Sequence, residues 1–189
     1  AAGGWAGKVA GMAGLEVGVQ PDKGTLIAFN QRITNHVVNR LHKSSDGDIF
    51  VPHGSITILG TSSMSIPDPE DTSTSREEVE NLLSIGEKTF EHLRDYRMLR
   101  AFAGSRPLYM PPGGASGRGA SRGFAIVDHE NDGLKGMFTI VGGKFTTYRL
   151  MAEKMADKVC AKLGNTEKCR TAEEPLVPEV SEALIDFSV

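Results

Sequence analysis

Between an apolar run and a helical pattern, the chain places Gly142, Gly143, Lys144, Phe145, Thr146 and Thr147, within Phe138-Thr-Ile-Val-Gly-Gly-Lys-Phe-Thr-Thr-Tyr-Arg149. Two glycines weaken both elements they join, and lysine is seldom buried, so the joint calls for a reason. One reason is a ligand. Glycine lets a ligand touch the backbone, and the unpaired N–H groups of a first helical turn, at the positive end of the helix dipole, favour an anion or a polarised carbonyl. Lys144 adds a full charge, and Thr146 and Thr147 can cap the helix or bind the ligand. The other reason is an ordinary tight strand-to-helix joint with an exposed lysine, and the motif alone leaves both open.

A second stretch, Leu99-Arg-Ala-Phe-Ala-Gly-Ser-Arg-Pro-Leu-Tyr109, puts Arg100, Phe102, Gly104 and Arg106 on one face of a strand. Pro107 holds Arg106 extended. A guanidinium there can grip a phosphate or carboxylate bidentately, or it is a surface arginine. The remaining reactive side chains form no constellation. His36, His42, His53, His92 and His129 are scattered, and no serine or cysteine can be tied to one of them as a hydrolase triad. Asp128-His129-Glu130 reads as a strand-end turn before it reads as a metal site. Cys160 and Cys169, the only cysteines, lack metal or redox spacing and read as free thiols of a cytosolic protein. No metal is expected.

The elements that carry these residues follow from pattern. Gly3 to Leu15 is a small, glycine-weakened helix with Trp5, Val9, Met12 and Ala13 at helical spacing. Extended runs follow at 24–29, 34–41, 48–52 and 55–59, the last two flanking a His53-Gly54 hairpin turn. Ser75 and Glu78 stand at capping-box spacing and open a helix with Val79, Leu82, Leu83, Gly86 and Phe90 on its inner face. A strand at 98–108, a glycine-rich loop at 111–123 and strands at 124–128 and 138–141 come next. A helix from Thr146 to Leu163 carries Tyr148, Ala152, Met155, Val159 and Leu163 on one stripe and stops at Gly164-Asn165. A tail or linker begins near residue 166.

The chain has 189 residues, 39% of them apolar and 24% charged, which is enough for a sizeable core and excludes a disordered chain. Its net charge of -3 gives no basic surface for nucleic acid. No apolar run approaches the roughly 18 residues of a membrane span. The start, AAGGWAGKVA, does not read as a signal peptide, and a cytoplasmic location is expected.

Taken together, "AAGGWAGKVA", "KGTLIAF", "VNRLHKSSDGDIFVP", "LRAFAGSRPL", "SRGFAIVDHE" and "TIVGGKFTTYRLMAEKMADKVCAKLGNTEKC" resemble the flavin-dependent glycerol-3-phosphate dehydrogenases, and their anaerobic branch most of all, within the D-amino-acid-oxidase-like (DAO) superfamily. The resemblance spans nearly the whole chain in family order. It implies oxidation of sn-glycerol 3-phosphate to dihydroxyacetone phosphate by hydride transfer to FAD. It also implies electron-transfer subunits of a membrane-associated complex, at the inner face of the membrane. By the same likeness, Gly3, Gly4 and Trp5 contact the adenosine and diphosphate side of FAD. Gly142, Gly143, Phe145, Thr146 and Thr147 contact the flavin ring, and Arg106 and Lys144 hold substrate. No catalytic base is named. A flavin oxidase or dehydrogenase of an amino or hydroxy acid, and a non-catalytic anion-binding module, are the alternatives.

The implied fold is α+β: a mainly antiparallel substrate-domain sheet with helices, plus pieces of a Rossmann-like FAD domain. Residues 1–23 and 124–165 would be FAD-domain segments, 24–110 the substrate domain, 111–123 a glycine-rich loop and 166–189 a tail. Two departures stand out. The GxGxxG fingerprint after an N-terminal strand, with its later acidic residue, is absent. Leu26 stands after Lys-Gly-Thr where aerobic relatives carry histidine. A first residue other than Met suggests a piece of a longer protein, inactive alone and weak or devoid in FAD. Trp5, Val9 and the 148/152/155/159 stripe would then need cover from a rearranged contact or a second copy of the chain.

Overall fold

A computed structural model describes residues 1–41, 46–47, 49–111 and 123–175. The chain divides into two compact units, broadly 2–121 and 122–189.

The first unit is organised by one strand. β1 (Val19–Phe29) pairs antiparallel along its whole length with β6 (Met98–Tyr109), with a register shift at Ala28/Phe29. Its other edge takes β4 (Ile56–Gly60) beside residues 26–29 and β5 (Met64–Ser65) beside residues 22–23. β3 (Ile49–His53) and β2 (Val38–Asn39) extend the sheet beyond β4. The β3–β4 hairpin turns at Gly54, whose φ of +55° suits glycine. The expected strand over 34–41 shrinks to two residues, because polar Asn35, Asn39 and Arg40 give it no buried face.

β1 is buried on both faces, which explains its mixed composition. Lys23, Thr25, Ile27 and Phe29 share one face, and Asp22, Gly24, Leu26 and Ala28 the other. The first face meets α2 (Arg76–Gly86) and closes a core of Ile27, Phe29, Phe50, Leu59, Leu82, Leu83 and Leu93. A Cβ on Gly86 would lie 2.7 Å from Leu93 and 2.9 Å from Leu59, so helix and sheet approach where only glycine fits. Phe50 and Phe90 meet edge to face at 4.8 Å.

α2 starts as its sequence requires. Ser75 Oγ accepts from Glu78 N–H at 3.1 Å, and the Glu78 carboxylate accepts from Ser75 N–H at 2.9 Å. That carboxylate also accepts from Lys23 Nζ at 3.1 Å and Thr25 Oγ1 at 2.9 Å, tying the helix start to β1. Burial pushes the Glu78 carboxyl up, but the bonds from Ser75, Lys23 and Thr25 together outweigh it and hold it below its ordinary value.

The helix expected at 3–15 is a short 3₁₀ turn at Gly3–Trp5 followed by α1 (Ala6–Gly11). Its buried face is Gly4, Ala6 and Ala10, not the Trp5/Val9/Met12 stripe, which is 40%, 46% and 89% exposed. Small residues let the helix lie close, and the large ones are left outside. This segment belongs to the same compact unit as the sheet, and β1 already begins at Val19, so a division after residue 23 falls inside a strand.

The second unit is an antiparallel hairpin, β7 (Phe124–Asp128) with β8 (Phe138–Gly142), followed by α3 (Tyr148–Leu163). Among the described strands every pairing is antiparallel. Lys162 fastens the end of α3 to the hairpin, donating to Glu130 at 2.7 Å and lying 5.0 Å over the Phe138 ring. Gly164 ends the helix with φ +72°. No residue of α3 is buried, and Tyr148, Val159 and Leu163 are exposed, since a two-stranded hairpin is too narrow for a 16-residue helix. Most of the glycine-rich stretch at 111–123 lies outside the described residues, as do His42 and residues 176–189.

Candidate functional site

Arg106 sits directly opposite Asp22 in the β1–β6 register, and its side chain folds back over β1. A Cβ on Gly24 would lie 2.1 Å from Nη2, 2.5 Å from Cζ and 2.7 Å from Nη1. The guanidinium therefore rests on Gly24 as on a saddle, and only glycine leaves it room. Its two terminal nitrogens are fully engaged. Nη1 donates to Asp22 Oδ2 at 2.6 Å and to the Ser62 carbonyl at 3.2 Å. Nη2 donates to Thr61 Oγ1 at 2.8 Å and to the same carbonyl at 3.2 Å. Asp22 is itself held, its two oxygens accepting from Ser63 Oγ at 2.8 and 3.0 Å. The Asp22 side chain is 2% exposed, and that of Arg106 is 25% exposed. The bidentate fork expected at Arg106 thus faces inward, onto Asp22 and the 61–62 turn. The Nε–H edge makes no bond among the described residues.

Asp22, Thr61, Ser62 and Ser63 escaped sequence reasoning. The available signal was spacing: Asp22 and Gly24 lie two apart on β1, as Gly104 and Arg106 do on β6, so antiparallel pairing puts one charge pair and one glycine pair face to face. The Asp22–Lys23 doublet at the head of an apolar strand was a second signal, since buried charges need partners.

The joint at 142–147 has the geometry expected for close backbone approach. Gly142 and Gly143 take φ of +79° and +80°. A Cβ on Gly143 would lie 2.4 Å from Met151 Sδ, so this glycine serves the packing of α3 as well. Gly143 N–H donates to the Gly123 carbonyl at 2.9 Å. Residues 145–147 form a 3₁₀ turn leading into α3. Thr147 Oγ1 accepts from Lys144 N–H at 3.1 Å and donates to the Lys144 carbonyl at 2.9 Å, closing the turn. Thr147 is therefore a structural cap here. Lys144, Phe145 and Thr146 are exposed, Phe145 by 90%, and the Lys144 ammonium makes no ion pair among the described residues. The start of α3 thus presents first-turn N–H groups, a free cation and an aromatic ring to solvent.

At the N-terminal segment, Gly3 has φ +56° and a Cβ there would meet nothing within 4 Å, leaving its backbone open. Gly4 is packed tightly: a Cβ would lie 3.0 Å from Pro69 and 3.3 Å from Ser105 Oγ. The structure thereby sets Gly4 against β6, one residue from Arg106. Ser105 Oγ is buried with no hydrogen-bond partner among the described residues. Trp5 Nε1 donates to Glu70 at 3.2 Å. The backbone N–H of Glu70, and then Lys8, hold the Asp68 carboxyl below its usual range.

The Asp128-His129-Glu130 cluster is a turn. His129 is fully buried, with Nδ1 2.8 Å from Asp132 and Nε2 2.9 Å from Thr139 Oγ1. Among the described residues no group of His, Cys, Asp and Glu could hold a metal ion. No helix of the described residues is long and apolar enough to cross a membrane.

The chain is 47% identical over 92% of its length to one of the subunits of the anaerobic glycerol-3-phosphate dehydrogenase of Escherichia coli K12, covering 32% of that protein. It is 45% identical over 93% of its length to the corresponding anaerobic glycerol-3-phosphate dehydrogenase protein of Haloferax volcanii, covering 30% of it. It is 37% identical over 68% of its length to the mitochondrial glycerol-3-phosphate dehydrogenase of Mesocricetus auratus. The chain thus spans about a third of the length of the two anaerobic relatives. Two crystal structures share the fold. Glycine oxidase from Geobacillus kaustophilus matches with TM-score 0.57 at 18% identity, over 88% of this chain and 40% of that one. Glycine oxidase from Bacillus cereus matches with TM-score 0.58 at 15% identity, over 95% of this chain and 45% of that one. Residues 1–158 match the family described as "DAO: FAD dependent oxidoreductase", and the chain belongs to that family.

Proposed function

We propose that this chain is the part of a flavin-dependent dehydrogenase that holds sn-glycerol 3-phosphate during its oxidation to dihydroxyacetone phosphate. The observation that carries the reading is the 47% identity to a glycerol-3-phosphate dehydrogenase, sustained over 92% of the chain. When bound, FAD supplies the acceptor for the hydride that leaves C2 of the substrate. The residues present suit such a group. Gly3 leaves its backbone open, Ser105 Oγ beside Gly4 is a buried hydrogen-bonding group without a partner among the described residues, and the start of α3 favours negative charge. Gly3, Gly4 and Trp5 would hold the dinucleotide side. Gly142, Gly143, Phe145, Thr146 and Thr147 would hold the ring side, Thr147 by fixing the turn.

Substrate holding falls to Arg106 and Lys144. Arg106 offers its Nε–H edge and its charge, while Asp22 and the 61–62 turn keep its other edge. Lys144 brings the uncompensated positive charge that a phosphate dianion requires. Arginine and lysine are not interchangeable at the first position, because only a guanidinium can serve both edges at once. In this reading the sheet from β1 to β6 belongs to the substrate domain, and residues 124–165 to a Rossmann-like FAD domain. The protein works in the cytoplasm, beside electron-transfer subunits at the inner face of the membrane.

Steady-state kinetics of Arg106→Ala, Arg106→Lys and Lys144→Ala in the intact holoenzyme, with flavin content measured in parallel, test the assignment. Both alanine variants should lose about 30-fold or more in kcat/KM for glycerol 3-phosphate. Arg106→Lys should recover only part of the loss, and Arg106→Ala should keep its flavin. Near wild-type kcat/KM in both alanine variants would make these structural cations.

A further inference from the structure

We infer that Asp22 is a positioning residue for Arg106: with Ser63, Thr61 and the Ser62 carbonyl it forms a built-in guanidinium socket over Gly24 that aims the arginine at substrate. The inference rests on the substrate role of Arg106 proposed above. Four acceptor contacts on two nitrogens, at 2.6 to 3.2 Å, hold the terminal end of the guanidinium, and a glycine makes the floor. Asp22 is the only charged member. Its carboxylate is buried, and apart from Arg106 it accepts only from Ser63 Oγ, so its charge is answered by Arg106 alone among the described residues. A carboxylate and a guanidinium in this geometry fix both the plane and the rotation of the fork, which a surface ion pair does not. With the Nη edge held, the Nε–H edge is left for the substrate, without the entropy cost of ordering a long side chain at binding.

A structural salt bridge would stabilise the sheet and do nothing more. A socket has a further property: emptied of its arginine, it should accept a free guanidinium ion. The test is chemical rescue in the intact holoenzyme. Arg106→Ala should lose turnover of glycerol 3-phosphate, and millimolar guanidinium chloride should restore it about 10-fold or more, as a charge-assisted contact regained. The Asp22→Asn/Arg106→Ala double variant should show no rescue. Thermal melting gives a readout independent of chemistry: the same ion should raise the Tm of Arg106→Ala and not that of the double variant. Asp22→Asn keeps the shape of the socket and leaves no buried carboxylate, so it tests the inference should Arg106→Ala fail to fold. It should raise KM about 10-fold with kcat little changed, because the misaimed arginine weakens substrate binding. Equal rescue and equal melting with and without Asp22, or an Asp22→Asn enzyme with unchanged KM, overturns the inference alone. Unchanged turnover in Arg106→Ala overturns the substrate role of Arg106, and the inference with it.

Discussion

Replacing Gly24 with alanine should unseat Arg106, and the cost can be worked from the geometry. The new Cβ would lie 2.1 Å from Arg106 Nη2, so that nitrogen must retreat by roughly 1.3 Å to ordinary contact near 3.4 Å. The side chain is flexible and 25% exposed, so it can swing away, and the clash itself costs little. What is lost is the socket. The guanidinium is rigid, so Nη1 is carried away with Nη2: the 2.6 Å bond from Nη1 to Asp22 and those from Nη2 to Thr61 and Ser62 open together. Asp22 then stays buried with Ser63 as its remaining partner, which places the cost at about 2–4 kcal/mol, near the lower end for a broken buried pair. Gly104 is the control. It lies directly opposite Gly24, and a Cβ there would meet nothing within 4 Å, so Gly104→Ala should change stability by less than ~0.5 kcal/mol. Urea unfolding of each variant, followed by circular dichroism and by the fluorescence of Trp5, the only tryptophan, measures the difference. In an Arg106→Ala background the Gly24→Ala penalty should nearly vanish. Equal stability of Gly24→Ala and Gly104→Ala, or a penalty that persists without Arg106, would refute the saddle.

Glu78→Gln should destabilise the first unit by about 2–4 kcal/mol at neutral pH, since Lys23 is left buried without its counter-charge and the capping bond weakens. The folded-state pKa of Glu78 is depressed, so its contribution is fully present above the ordinary value near 4.5 and is lost as pH falls through the lower folded value. Unfolding between neutral and acid pH should show this slope in the wild type and a smaller one in Glu78→Gln. Gly143→Ala should cost roughly 1–3 kcal/mol in the second unit, from a positive φ and the 2.4 Å approach of Met151 Sδ. Hydrogen exchange of the α3 amides reads that loss, and Met151→Ala should relieve the steric part of it. Lys144→Ala, at an exposed position, should leave melting unchanged within ~0.5 kcal/mol while kcat/KM falls.

Much of the sheet was legible from pattern. The hairpin around His53-Gly54, the capping box of Ser75 and Glu78, the inner face of α2 and the αL stop at Gly164 each rest on local chemistry that a single sequence displays. What escaped depends on packing between distant segments. The face of α1 was misread because bulk marks a core stripe only where the neighbour leaves room. Here Gly4, Ala6 and Ala10 go inside, and Trp5 and Val9 stay out. The start of β1 came five residues early because Val19 to Lys23 looks polar until β6 supplies Arg106 and the 61–62 turn supplies its hydroxyls. Arg106 itself was legible as a cation on a strand, but its orientation was not, since that is set by a carboxylate 84 positions away in sequence. The Gly-Gly joint was read as a ligand cradle or a tight turn. Gly143 is at least the second, through Met151, and Lys144 and the first turn of α3 remain free for the first.

The most direct test of the account is anaerobic reduction of the intact holoenzyme's flavin. Glycerol 3-phosphate added without an acceptor should bleach the oxidised flavin band rapidly and saturably, glycine and 2-hydroxy acids should leave it intact, and Arg106→Ala should need far more glycerol 3-phosphate for the same effect. Bleaching by an amino or hydroxy acid in preference to glycerol 3-phosphate, or no flavin to bleach, would contradict it.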